Sequence, residues 1–190
     1  MKFKERNYYI SNDSDNIIIR SLKNVDMVFY KNWYKIGHIK KEVVDTIPEN
    51  EIDNWILRDV KTHIIFIVEI NNKPCGEINI WNDTSLIIMD KNYKKPYYNF
   101  LIKYYENVND DEMYNVLKFY IESIKNIKIK TGSFYVFIDE KDENNYIENY
   151  LNIGFKYLNK DTYKSKTEKF FIKNNIDNPY KKMRIVIKNA

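Results

Sequence analysis

Apolar and polar positions along this chain switch between two periods, and the switches mark its elements. Residues 16–22, NIIIRSL, are short and β-branched, which predicts a strand. Asn24 and Asp26 then offer caps for a helix through MVFYKNWYKIG, with Gly37 as its expected terminator. A second helix is predicted in DTIPENEIDNWILRDV, where Thr46 and Ile47 precede Pro48, acids fill the first turn, and Ile52, Trp55 and Ile56 share one face. HIIFIVEI and CGEINIW flank NNKP, and Ile78 and Ile80 alternate with Glu77 and Asn79, the pattern of an antiparallel hairpin.

The segment TSLIIMD is expected to continue the sheet after a break, and PYYNFLIKYYE, residues 96–106, reads as another strand ending at the polar NVNDD. The longest helix is predicted in DDEMYNVLKFYIESIKNI, where Met113, Val116, Leu117, Tyr120, Ile121 and Ile124 form a stripe, acids open it and lysines close it. SFYVFID, residues 133–139, is a strand. ENNYIENYLN is a helix whose Tyr146, Ile147, Tyr150 and Leu151 share a face until Gly154 ends it. FKYL and KMRIVIK are two last strands. Between them, residues 159–180 are mostly polar around Phe170, Phe171 and Ile172, and read as an insertion or long hairpin before the last strand.

Composition narrows the class. A chain of 190 residues with 44% hydrophobic and 16% aromatic residues supports one domain over 1–190, with 1–15 as an N-terminal extension. The net charge of +4 is the difference between 31 basic and 27 acidic side chains spread along the chain, which argues against a nucleic-acid footprint despite the 17 tyrosines. Cys75 is the only cysteine, so an internal disulfide and a multi-cysteine zinc site are excluded, and a reducing, cytoplasmic setting is expected. The polar MKFKERNYYISNDSDN has no apolar signal-peptide core, and no apolar run is long enough for a membrane span. His38 and His63 have no metal partner at ligand spacing and read as ordinary surface or edge histidines; no metal is expected.

The local sequence YLNIGF carries the most specific signal, through Tyr150, Gly154 and Phe155. Together with the element order and a glycine in NNKPCGEINIW, it resembles the GNAT superfamily of acetyl-CoA-dependent N-acetyltransferases over residues 16–188. The resemblance implies an α+β, three-layer fold with a mixed sheet of six to seven strands and about four helices. It also implies acyl transfer from acetyl-CoA to an amine of a small molecule or protein. Tyr150 matches the position that in many members donates a proton to the departing thiolate; from periodicity alone it is a ring packing on the sheet. Glu106, at the predicted strand end, is the candidate for activating the amine, or else an exposed strand-end carboxylate; Glu77 is a weaker candidate. Tyr104, Tyr105 and Val108 would run beside pantetheine, while Asn109, Asp110, Asp111 and Met113 would meet the pyrophosphate and Asn145 would add a further cofactor contact. The oligomeric state stays open, a homodimer included.

One motif departs. Where the family has Arg or Gln-x-x-Gly-x-Gly or Ala, this chain has VNDDEM, so Val108, Asp111 and Met113 occupy the diagnostic positions. Asp110 can cap the helix and its neighbours suit the dipole, yet each acid at roughly 5 Å from a phosphate costs on the order of 1–3 kcal/mol. Two functions follow from these residues: an acyltransferase, or a GNAT-like binding or regulatory domain that has lost the cofactor.

Overall fold

β-branched runs pair and amphipathic helices cover them in the computed structural model, which describes residues 2–39, 41–82, 86–88, 97–126, 133–138, 146–157, 163–165 and 183–188. The chain groups into two compact units, Met1–Ile80 with Ile102–Met113, and Trp81–Leu101 with Tyr114–Ala190.

In the first unit, β1 (Tyr9–Asn12) pairs antiparallel with β2 (Ile17–Ser21), and β2 pairs antiparallel with β3 (His63–Ile70). β1 arises within the stretch expected to be an extension. Beside β3 runs β4 (Lys73–Asn82), joined to it through Asn71 and Asn72 with φ of 53° and 59°. Consecutive left-handed residues make the two-residue turn whose twist suits a hairpin, and asparagine tolerates that region better than other side chains. Between β2 and β3 lie α1 (Met27–His38) and α2 (Glu49–Thr62). Their inward faces pack Tyr30, Trp33, Tyr34, Ile52 and Ile56 on Leu22, Ile65 and Ile67, all buried. Burying such side chains contributes about 1.5–3 kcal/mol each. Lys31 and Asp53, 2.5 Å apart, join the two helices at the surface, where such a pair adds little.

Two expectations about α1 change. Asp26 stands at the N-cap position, but neither its side chain nor that of Asn24 caps the helix: Asn24 accepts the Phe3 N–H, and Asp26, buried, takes the Arg20 guanidinium at 2.7 and 2.9 Å and the Lys23 N–H. A buried charge is tolerated only when paired, and Arg20 also reaches Glu69 on β3. Gly37 does not stop the helix but lies in its last turn. A Cβ there would meet the Tyr105 hydroxyl at 2.2 Å, so glycine is required by close approach.

β6 (Tyr97–Tyr104) begins in the second unit and ends in the first. In the second unit it pairs parallel with β7 (Ser133–Ile138), whose other neighbour is β10 (Met183–Lys188), antiparallel, and β8 (Lys156–Tyr157) closes that order. β5 (Leu86–Ile88) does not continue this sheet; it pairs with β9 (Tyr163–Ser165), from the 159–180 segment, as a separate two-stranded ribbon. Helix α3 (Asp110–Asn126) buries Val116, Leu117, Tyr120 and Ile121 of its predicted stripe.

Helix α4 (Tyr146–Ile153) ends as the glycine foretold. Gly154 has φ of 103°, its N–H donates to Leu151 O at 3.0 Å, and the Phe155 N–H donates to Tyr150 O at 3.1 Å. These two bonds form a Schellman cap, and its customary apolar contact is the edge-on packing of Phe155 against Tyr150, 5.1 Å between ring centres. The spacing of tyrosine, glycine and phenylalanine is thus accounted for by helix termination.

Candidate functional site

A run of aromatic residues on α1 needs acceptors for its hydroxyls, and the first unit supplies them. Tyr30, Trp33, Tyr34, Gly37 and His38 recur at helical spacing, so they share the face turned inward. Opposite, β4 is buried on both sides, so the alternation that looked like one apolar and one polar face places Glu77 and Asn79 inside, at 0% and 2% exposure. A lone carboxylate there would cost several kcal/mol. Glu77 is not alone. The Tyr30 hydroxyl donates to Oε2 at 2.7 Å, the Tyr105 hydroxyl to Oε1 at 2.6 Å, and His38 Nε2 lies 2.5 Å from Oε1. Burial pushes the Glu77 carboxyl upward, but His38, Tyr105 and Tyr30 together hold it below the ordinary carboxylate value. Glu77 is therefore an anion at neutral pH. The same contact drives both phenols above their usual range, by burial first and the Glu77 charge next.

Stacking holds the surroundings of this anion. His38 lies on Tyr34 with ring centres 4.6 Å apart and planes 11° from parallel; Tyr105 lies on Trp33 at 4.8 Å and 14°. Tyr34 in turn donates to the buried Asp59 at 2.5 Å, and Arg58 Nε reaches the other carboxylate oxygen at 3.1 Å. Lys103, near the end of β6, donates to Gly37 O at the last turn of α1, where carbonyls face a cation favourably. Burial lowers its ammonium pKa and the Glu77 charge opposes that shift.

The end of β6 is turned by its backbone. The N–H groups of Tyr105 and Glu106 both donate to Cys75 O, at 2.9 and 3.4 Å, the bonding pattern of a β-bulge. Tyr105 is aimed inward by it, and Glu106 is left exposed. The buried Cys75 thiol is pushed up to about 12, chiefly by burial, so it is no nucleophile.

The structure sets most of the predicted site residues in two neighbourhoods. Tyr104, Tyr105, Glu106, Val108, Asn109, Asp110, Asp111 and Met113 fall in sequence at the end of β6 and the first turn of α3. The Tyr104 hydroxyl lies 3.5 Å from Met113 O. Asn109, not Asp110, caps α3: its side-chain oxygen accepts the Glu112 N–H at 2.9 Å, and its own N–H donates to Glu112 Oε2 at 3.0 Å. This reciprocal box leaves Asp110 inside the first turn. Tyr150 belongs to the second unit and is buried; Asn145 lies outside the described residues. Glu77 and His38 were undervalued in the sequence. The legible signal was the tyrosine-rich face of α1, since buried phenols seek acceptors.

Among the described residues no cluster of three His, Cys, Asp or Glu has the arrangement of a metal site, and no helix is long and apolar enough to cross a membrane. No family model matches this sequence. No curated protein matches it either. Solved structures do. A SpeG spermidine N-acetyltransferase chimera from Vibrio cholerae and hSSAT superposes with a TM-score of 0.58 at 16% identity, covering 92% of this chain and 96% of that one. This is the GNAT fold. The N-acetyltransferase PseH of Campylobacter jejuni matches at TM-score 0.54 and 12% identity over 92% of this chain and 99% of its own. RimL, a ribosomal L7/L12 alpha-N-protein acetyltransferase in complex with coenzyme A, matches at 0.55 and 9% over 80% and 86%. Within GNAT architecture, β6 followed by α3 is the strand and helix that the sequence resemblance linked to the cofactor.

Proposed function

We propose that this protein is an N-acyltransferase that moves an acyl group from acetyl-CoA to an amine of a small molecule or protein. The observation that carries this reading is the GNAT fold, with a built polar cluster, centred on Glu77, beside the end of β6. Neighbours of that fold include acetyltransferases named for spermidine and for a ribosomal protein, both amine acceptors.

In this reading the co-substrate supplies an activated acyl thioester. Residues Tyr104 to Val108 would border its pantetheine arm, and Asn109, Asp110, Asp111 and Met113 its pyrophosphate. Asn145 is kept as a further contact. Tyr150 is the group assigned to protonate the leaving sulfur, and Glu106 is a candidate for accepting the amine proton through solvent. The helix start suits phosphate poorly as it stands, because Glu112 already occupies the Asn109 N–H and carries a like charge. That box must open for the ligand to bind.

The same observation favours a second reading, a GNAT-fold binding domain that takes no CoA. Thermal shift with acetyl-CoA and CoA separates the two: binding with Kd of tens of micromolar raises Tm visibly at millimolar ligand. No shift there sinks the enzyme reading. Where binding is seen, Tyr150→Phe lowers kcat at least tenfold with CoA affinity unchanged, since the Schellman bonds and ring contact survive loss of the hydroxyl. Equal loss of both would reduce Tyr150 to packing.

A further inference from the structure

We propose that His38 takes the proton from the attacking amine and that Glu77 is the residue that positions it, an assignment that rests on the acyl-transfer reading above. Its first support is a division of exposure. The Glu77 side chain is 0% exposed and cannot meet a substrate, whereas that of His38 is 14% exposed, enough for its ring edge to reach an incoming group. A carboxylate that no substrate touches acts through what it holds.

What it holds is the imidazole orientation. Ionised Glu77 only accepts hydrogen bonds, so the nitrogen 2.5 Å from Oε1 must carry a proton. The neutral ring therefore has N–H at Nε2 and its lone pair at Nδ1, which becomes the basic atom. Stacking on Tyr34 fixes the ring plane, and the Tyr30 and Tyr105 hydroxyls keep the carboxylate from turning. A histidine whose tautomer and plane are both set by buried partners is pre-organised for proton transfer.

Position agrees. Gly37, next to His38, is pressed on Tyr105 and bonded by Lys103, both at the end of β6 that the reading above assigns to the thioester arm. The chemistry balances without a further reagent. The amine nitrogen bonds to the acyl carbon, its excess proton passes to His38 Nδ1, the carbon–sulfur bond breaks, and sulfur leaves with the electron pair as a thiolate that takes a proton from solvent. His38 then releases its proton to solvent.

The charged and titratable groups facing His38 are Glu77 from β4, Tyr105 and Lys103 from the end of β6, Tyr34 on its own helix, and His63 from β3. Glu77 is the anion among them, bonded to the ring nitrogen opposite the basic atom.

The test measures thiol release from acetyl-CoA with a panel of small primary amines across pH, for the wild type, His38→Gln, His38→Ala and Glu77→Gln, alongside nitrogen-15 spectra of the histidine rings. His38→Gln should lower kcat about 100-fold with KM within a few-fold, and its profile should lose the acidic limb. Added imidazole should restore turnover to His38→Ala, and Glu77→Gln should lose about tenfold in kcat while mixing the two tautomers of His38. If His38→Gln keeps both kcat and the acidic limb, the base role is wrong. A bare Nε2 in the wild-type spectrum overturns the positioning by Glu77 whether or not the enzyme turns over. Absence of turnover by the wild type, with the expected tautomer present, overturns the base role together with the acyl-transfer reading.

Discussion

Gly37→Ala gives the sharpest test of the cluster, because local and tertiary reasoning predict opposite signs. In an isolated helix alanine is favoured over glycine by about 1 kcal/mol, so α1 alone should gain. In the folded chain the new Cβ would lie 2.2 Å from the Tyr105 hydroxyl oxygen and 2.8 and 2.9 Å from two ring carbons. A rigid ring stacked on Trp33 cannot yield by a simple rotamer change. Overpacking of this kind costs about 1–3 kcal/mol. Displacing Tyr105 also removes one of the donors on buried Glu77, a charged hydrogen bond of about 1.5–3 kcal/mol. Against the propensity gain, the net is a loss of about 1.5–5 kcal/mol, which for 190 residues lowers Tm by about 3–20 °C. Urea and thermal unfolding measure it. Tyr105→Phe removes the nearest atom, so the double variant should cost less than the sum of the two singles by at least about 0.5 kcal/mol. A neutral or stabilised Gly37→Ala, or strict additivity, would refute the contact.

Three further outcomes follow from the same structure. Glu77 titrates below its unfolded value of 4.5, so its contribution to stability is present above that pH and is lost as pH falls through the depressed folded value. The stability gap between the wild type and Glu77→Gln, followed by urea unfolding, should therefore be constant near neutrality and shrink in acid. Gly154→Ala should destabilise by about 1–2 kcal/mol although space is open around it, because φ of 103° strains any other residue; urea midpoints report it, with CoA affinity unchanged. Glu112→Gln removes one negative charge at the α3 start and weakens its box, so CoA affinity by titration calorimetry should rise about 3- to 10-fold. No change would mean that the box does not compete with the ligand.

Much of the architecture was legible because its signals are local. Short apolar and aromatic runs bounded by turn signals located β2, β3, β6, β7 and β10, and helical stripes located α1 to α4. Tyr150, Gly154 and Phe155 were read correctly as a helix end followed by a strand, and the structure shows the cap that makes them a unit. At α1 the expected Asp26 holds the cap position but its side chain is recruited by Arg20 from β2, and at α3 the cap falls one residue earlier than expected, because Asn109 competes successfully with Asp110. Such choices depend on partners distant in sequence or on side-chain geometry. Pairing of β5 with β9 was likewise invisible, since a three-residue strand carries no register of its own.

The sequence by itself determined most of the strands and helices, β1 excepted, because periodicity and turn chemistry act within a few residues. Tertiary structure alone decided what Glu77, His38 and Gly37 touch. An alternating Glu-x-Asn strand looks the same whether its polar side faces water or a helix, and only burial of both faces of β4 turns Glu77 into an ion that must be satisfied. Gly37 looks like a helix stop until Tyr105, 68 residues later by their numbering, presses against it. Those contacts join residues far apart along the chain, and no local pattern encodes the distance between them.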